Sequence, residues 1–573
     1  MSDQRYFNLV ENPFILVRQL DGRLGEESLL SVFAHAHEIK EIGGELPTQD
    51  FAIIRVLLAI LQRAIISANN YDEDREPSDV WGELWRSDTL PMEAIDAYLR
   101  RWHHRFYLFD AEQPFMQVAG LRTVKDEVTP IKKIIAELPD GHQFFTMRTG
   151  LAAESVSPAE AARWLIHTQA FDTAGIKSGV VGDPAVKSGK SYPIGTGWAG
   201  RLGGLWAEGT TLKGTLLLNL RLGNSGNLFE WVSDADLPVW ERDPDGPGGT
   251  GRMPTGQADL FTWQARRVLL VRGGEGAMGV VLTNGDKIDP YNLHAVEPLT
   301  GWYRSKNQEK VLKASQIYLP VAHRPDRSLW RGLGAVLPGA QLDRVDGREY
   351  LSPGILEWLA HLASDDGGAR LDAGGTLKLR AVGMAYGAQN STVSEVIHDS
   401  LLIQAALLRS AGAAFITMAM DCLAETDDAV RAVGLLAANL HIAAGGDSEA
   451  VEAPREHARA DAYAALDRPF RRWLAALHPG DADSAALEES LCQERNQWRI
   501  TAHAIVGAVG KRLARETGPQ AFVGHAVKVN NKDAWMTSAR AEKIFHRALM
   551  KALHIEMVEA LQSSTNKEGE VNV

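Results

Sequence analysis

Between residues 49 and 69 (QDFAIIRVLLAILQRAIISAN) apolar positions recur at helical spacing with few polar interruptions, which predicts a buried core helix. Around it the pattern changes often. Residues 5–18 read as two short strands about a turn at 11–13, 22–39 as a helix with Ser28 near its start, and 91–104 as a helix with Pro91 in its first turn. Residues 105–120 (RFYLFDAEQPFMQVAG) look extended, 132–138 a short helix, and 157–169 a capped amphipathic helix leading into a glycine-rich loop. Further on, GTLLLNLRL (214–222) is a strand candidate, 243–256 a flexible loop containing Arg252, and 261–283 a hairpin with Arg272 near its tip. A second pairing is expected at 377–390. From about 391 the chain turns alanine- and leucine-rich in long segments (393–420, 428–444, 456–477, 484–516, 539–562), the pattern of a helical bundle. The class is α+β: a large mixed domain of short sheets and helices over 1–390, a four-helix-like bundle over 391–562, and a polar tail, 563–573, expected to be disordered.

Composition narrows the function classes. The chain has 573 residues, 45% of them apolar and 23% charged, as in soluble globular proteins. No uninterrupted apolar run reaches the ~18 residues of a membrane span, and the N-terminus lacks the basic and apolar segments of a signal peptide. No membrane partner and a cytoplasmic location are therefore expected. Cys422 and Cys492 are the only cysteines, so a disulfide framework is excluded. The net charge of −13 opposes a chain coated in nucleic acid but permits a local basic face. One basic run lies between 301 and 333, where Arg304, Lys306, Lys310, Lys313, Arg324, Arg327 and Arg331 surround Trp302, Tyr303 and Trp330. A solvated surface explains such a run as well.

The stretch FDTAGIKSGVVGD (171–183) carries Gly175, Gly179 and Gly182 with Lys177 among them. Glycine allows close approach to the main chain, and a lysine there adds a cationic contact for phosphate. The same residues also fit an ordinary surface turn. It is not a Walker loop, and GTGWAG (195–200) matches G-x-G-x-x-G without the strand and βαβ unit that a dinucleotide site requires. His35, His37, His103 and His104 lack the spacing of a helical metal site, and no catalytic motif is present. The residues point to a binding or scaffolding protein without a cofactor. The alternative from another class is a cytoplasmic enzyme holding a phosphorylated small molecule at 173–182.

Four segments, taken in order, resemble one family: FNLVENPFILVR (7–18), RFYLFDAEQPFMQV (105–118), AGIKSGVVGDP (174–184) and VGMAYGAQNSTVSEV (382–396). Their order and spacing are similar to those of CasA, the large subunit of the type I-E CRISPR surveillance complex Cascade, over essentially the whole chain.

The resemblance implies a non-catalytic subunit that recognises the PAM, the short duplex flanking the target, and helps open the DNA beside it. It implies a minor-groove loop at Thr173, Ala174 and Gly175, with Ala174 standing where some relatives have glycine. It implies a wedge at the tip containing Gly387, Ala388, Gln389 and Asn390, with Gln389 as the inserted amide and Asn390 as the one-residue alternative. Arg252 falls near a basic minor-groove contact, and Arg272 where relatives carry lysines that attract duplex DNA. Phe145 matches an aromatic on a loop that anchors the subunit at the crRNA 5′ end and the neighbouring backbone subunit. The implied partners are double-stranded DNA on the PAM side, the crRNA 5′ end, the Cascade backbone and small subunits, and the helicase-nuclease. Some relatives bind zinc through N-terminal cysteines; no cysteine precedes Cys422 here, so no such metal is expected.

Overall fold

The apolar periodicity becomes the helix Pro47–Ala68, which is buried from Thr48 to Ile66. In the computed structural model, residues 5–68, 75–138, 148, 154–339, 348–364, 367–368, 370–372, 374–479, 484–529 and 532–555 are described. By length and composition this helix could cross a membrane, contrary to the sequence expectation that no segment could, yet 89% of its apolar window lies inside the protein. Its polar residues show why it is a core helix. Arg55, itself buried, meets fully buried Glu297 at 2.8 Å and lies 4.3 Å over the Phe261 ring. Arg63 grips both carboxylate oxygens of Glu241 at 2.7 and 2.9 Å. Every charge that the helix buries near its middle has an opposite charge built against it, as burial requires.

The chain divides into two compact units. The first comprises Met1–Pro338, Tyr350–Ala373 and Leu377–Ser400; the second comprises Gly339–Glu349, Gly374–Thr376 and Leu401–Val573. In the first, helix Pro158–Phe171 packs on the core helix, and the side chains of Thr48 and His167 meet at 3.0 Å. Short sheets surround them. Strands Arg266–Gly273 and Gly276–Asn284 form the expected hairpin, extended by Thr129–Pro130. Strand Thr376–Tyr386 lies between Gly204–Glu208 and Val393–Gln404.

Three sequence expectations need correction. Leu24–Glu27 is a strand paired with Ile15–Gln19, so the helix expected over 22–39 starts only at Leu29, capped by Ser28, and stops at Ala34. The strand candidate at 214–222 is instead the helix Leu212–Leu218, capped by Thr211, with Leu212 and Leu216 buried one turn apart. A short apolar run cannot be assigned by period alone. Val393–Gln404 is a strand, not the start of the bundle, so helix begins well after 390. Its β-branched Val393, Val396 and Ile397 suit a pleated surface.

The second unit contains the long helices Ala413–Ala443, Glu452–Ala476, Ser484–Glu516 and Ser538–Ala552, with a hairpin His525–Val529/Lys532–Met536 that the sequence did not announce. Its core includes Trp473 stacked on Trp498 at 5.3 Å. The indole Nε1 of Trp498 donates to Thr426 Oγ1, and Glu425 accepts from Arg495 and Arg499 at 2.6 Å each. The tail expected to be disordered lies outside the described residues.

Glu297 also accepts from Trp198 Nε1 at 2.8 Å and from the Leu299 amide at 3.1 Å, so one carboxylate joins the core helix to two distant segments. Glu297→Gln leaves the Arg55 charge buried without a counter-charge. The expected loss in stability of the first unit is about 3–5 kcal/mol, read from urea unfolding followed by tryptophan fluorescence.

Candidate nucleic-acid interface

Helix Pro158–Phe171 starts at Ser157, whose hydroxyl accepts from the Glu160 amide, and delivers the chain to Asp172. There the Asp172 carboxylate meets Lys177 Nζ at 2.6 Å and, on the same oxygen, the Nε of fully buried Arg266. The remaining guanidinium donors of Arg266 reach the carbonyls of Ala265 (2.8 Å), Thr173 (3.0 Å) and Gly195 (2.8 Å). Burial pushes the Asp172 carboxyl upward, but Lys177 and Arg266 outweigh it and hold the group below its ordinary value. Burial, reinforced by repulsion from Arg266, outweighs the attraction of Asp172 and draws Lys177 down to about 8. The two directions agree physically. One carboxylate is shared by two cations, so the acid is stabilised as an anion while the lysine, in company with an arginine, is the cation that yields its proton first.

Beyond Asp172 the loop meets the tip of the hairpin formed by Thr376–Tyr386 and Val393–Gln404. The Ala174 amide donates to the Asn390 carbonyl at 2.8 Å, and the Tyr386 hydroxyl donates to the Phe171 carbonyl at 2.7 Å. Two segments more than two hundred residues apart in sequence are thus bonded to each other. The tip is closed by Gly387 N–H to Thr392 C=O (2.9 Å) and Asn390 N–H to Gly387 C=O (3.0 Å). Ala388, Gln389 and Asn390 are exposed, and Gln389 and Asn390 are left-handed, with φ of 55° and 54°. Gly175 has no positive φ, and a Cβ built on it would meet no atom within 4 Å. Nothing among the described residues requires glycine there.

Residues 8–508 match the family described as CRISPR-associated protein Cse1. This chain belongs to the Cse1 family. The crystal structure of Thermobifida fusca Cse1 superposes with a TM-score of 0.83 at 38% identity, covering 96% of this chain and 99% of that one. That of Acidimicrobium ferrooxidans Cse1 gives 0.75 at 29% identity, with 96% and 98% covered. The CRISPR-associated protein CasA/Cse1 of Thermus thermophilus is 31% identical over 345 residues, a match spanning 59% of this chain and 61% of that protein's length. The family read from the four sequence segments is the family these comparisons show.

Within the Cse1 fold, several expected contacts are placed differently from their sequence reading. Lys177 is buried with its ammonium turned onto Asp172, so it is not a solvent-facing contact for phosphate. Part of the main chain that could cradle an anion is also already engaged. The amides of Ala174, Gly179 and Val181 donate to the carbonyls of Asn390, Gly189 and Arg122 at 2.8, 2.9 and 3.0 Å. Arg252 is held bidentately by buried Asp259 at 2.6 and 2.9 Å and lies 4.1 Å over the Trp263 ring, so its charge is compensated rather than offered to a groove. Arg272 stays exposed at the 266–284 hairpin, 3.9 Å over the Tyr6 ring. Phe145 lies outside the described residues.

Other motifs resolve into packing. A Cβ at Gly197 of GTGWAG would stand 2.4 Å from the Ala170 carbonyl oxygen, which explains that glycine by helix contact rather than by a nucleotide. In the basic run, Trp302 and Trp330 are fully buried, Arg304 pairs with Glu309, and Arg324 pairs with Asp326. Sequence reading missed Asp172, Arg266 and Tyr386. The signal for Arg266 was present, since two adjacent arginines open an apolar strand, RRVLLV.

The folded-state value of Asp172 lies below its unfolded value of about 3.9. Its contribution to stability is therefore complete above that value and is lost as pH falls through the folded one. Asp172→Asn is expected to cost about 3–5 kcal/mol at neutral pH. The gap between variant and wild type should close as pH drops below about 4, measured by urea titrations at a series of pH values.

Proposed function

We propose that this chain is the large subunit of a type I-E, RNA-guided CRISPR surveillance complex. It acts without chemistry of its own, in the cytoplasm and apart from membranes. It meets duplex DNA at the PAM, starts strand separation beside it, and recruits the helicase-nuclease that cuts. The crRNA 5′ end and the backbone and small subunits are its partners in the assembly. The observation that carries the reading is the Ala174–Asn390 hydrogen bond, which puts the glycine-bearing loop and the exposed amide tip side by side.

The physical steps follow from that arrangement. The open space over Gly175 admits another molecule to the main chain. In the minor groove A·T and T·A pairs present nearly the same acceptors, so a small-residue loop there discriminates weakly and accepts several flanking motifs. Once the loop is seated, the adjacent tip faces the next base step. Opening that step costs a few kcal/mol, part of which an inserted side chain offsets. Exchange of DNA pairing for RNA pairing is nearly balanced overall, so a small local opening decides whether it begins. Tyr386 is the positioning residue, because its hydroxyl ties the strand entering the tip to the end of the helix that enters the loop. The phosphorylated-metabolite alternative is less well supported, since Lys177 and the amides of Ala174, Gly179 and Val181 are engaged internally.

The test is R-loop formation by reconstituted complexes, with assembly checked separately. On linear DNA, Gln389→Ala should slow the reaction by at least roughly tenfold, equivalent to about 1.4 kcal/mol of lost wedge energy. Tyr386→Phe, which removes one hydrogen bond, should slow it roughly three- to tenfold. Ala174→Pro, which removes the amide donor, should act in the same direction. Negative supercoiling should restore all three. R-loops that form equally well without this subunit would sink the reading.

A further inference from the structure

The cations that remain available beside the loop are ones the motif reading passed over. Strands Lys177–Ser178 and Lys190–Ser191 pair antiparallel, Lys177 opposite Ser191 and Ser178 opposite Lys190. Side chains alternate across a strand pair. Lys177 and Ser191 therefore turn inward and are buried, while Ser178 and Lys190 share the exposed face. The connecting turn is tight: Lys187 and Lys190 exchange both backbone hydrogen bonds at 3.0 Å, and Ser188 and Gly189 take φ of 51° and 71°. That is a two-residue turn with both central residues left-handed, and it holds Lys187 and Lys190 at its two shoulders. A second turn lies alongside, fixed by Val124 N–H to Gly179 C=O at 2.9 Å and by Glu127 N–H to Thr123 Oγ1 at 2.8 Å. It carries Lys125.

Between the two turns is an open concavity of about 300 Å³ with Lys125 and Lys190 on its walls, and Glu127 as the carboxylate among its lining residues. Lys125, Lys187 and Lys190 are exposed, and none makes an ion pair among the described residues. In a chain of net charge −13, the neighbouring Lys177 and the more distant Arg252 are neutralised while these three are not.

We propose that Lys125, Lys187 and Lys190 bind backbone phosphates of the duplex that the 173–175 loop engages; this rests on the function proposed above. The chemistry favours a duplex backbone over a small anion. The amides of Gly179, Lys190 and Glu127 are already bonded, the concavity is open, and its cations are flexible point charges on a surface continuous with the loop. Such contacts position DNA without reading bases.

The experiment uses the full chain and fluorescent duplexes with and without the flanking motif that the complex selects. It compares wild type with the triple variant Lys125→Gln, Lys187→Gln, Lys190→Gln and with the triple lysine-to-arginine variant. Each phosphate contact contributes about 0.9 to the slope of log affinity against log salt. The glutamine variant should lose about two to three units of slope, weaken on both duplexes by the same factor, and leave their affinity ratio unchanged; the arginine variant should keep the wild-type slope. An unchanged slope with the glutamine variant overturns the proposal, as does a loss confined to the motif-bearing duplex or a loss of guide-RNA binding alone. Gln389→Ala separates the two ideas. If it opens DNA normally while the glutamine variant loses slope, the phosphate contact stands and the wedge does not. If wild type shows no salt-dependent duplex binding, both fail.

Discussion

Asp172 sits at the end of a buried helix with two cations on one carboxylate oxygen, and the candidate interface depends on that arrangement. A glycine-bearing loop would ordinarily move. Here its first residues are held from below, because an arginine has five donors in a fixed fork and Arg266 uses them on the carboxylate and on surrounding carbonyls. With Asp172 and Thr173 fixed, the Ala174 amide stands where it can reach Asn390. The charge cluster therefore has little to do with attracting DNA directly. It sets the position of a main-chain surface, and a preset surface loses less entropy when a partner binds.

Legibility in the sequence followed the range of the interaction responsible. The core helix, the 158–171 helix with its serine cap and the 266–284 hairpin are set by spacing within one segment, and the sequence shows them. At 212–218 a run of leucines suits strand or helix equally, and the decision came from packing around Leu212 and Leu216. At 393–404 the high apolar content of the adjoining helical segments masked a strand whose partner is the preceding one. For the site, the loop and the tip were visible as motifs, but the state of their charges was not. The partner of Arg252 is seven residues away, on a short helix, and the partners of Asp172 include an arginine ninety-four residues on. Whether a basic residue is available depends on what faces it, and composition does not carry that.

This distinction separates two uses of positive charge in one molecule. Arg55, Arg266 and Arg267 are buried against carboxylates and act as struts, and removing a partner from any of them exposes the full cost of a lone buried charge. Arg272 and the lysines of the 122–127 and 187–190 turns lie in water, where an ion pair is worth little but a polyanion is attracted over a Debye length. A net-negative chain can capture DNA in this way, provided the uncompensated cations lie together on the face proposed to read it.

The backbone of the tip bears on which amide would serve as the proposed wedge. Two successive non-glycine residues in the left-handed region cost on the order of 1–2 kcal/mol each when the side chain gains nothing from it. Asparagine enters that region readily and glutamine does not. At Asn390 the strain is small, and its carbonyl already accepts the Ala174 amide, so the main chain explains the position. At Gln389 the strain is larger, the side chain is exposed, and no hydrogen bond within the described residues repays it. A turn of this shape would be more stable with glycine or asparagine at 389. The long amide is thus the feature of the tip that folding does not account for, and a side chain held out at a cost in stability is the one to weigh first for the proposed insertion into a duplex.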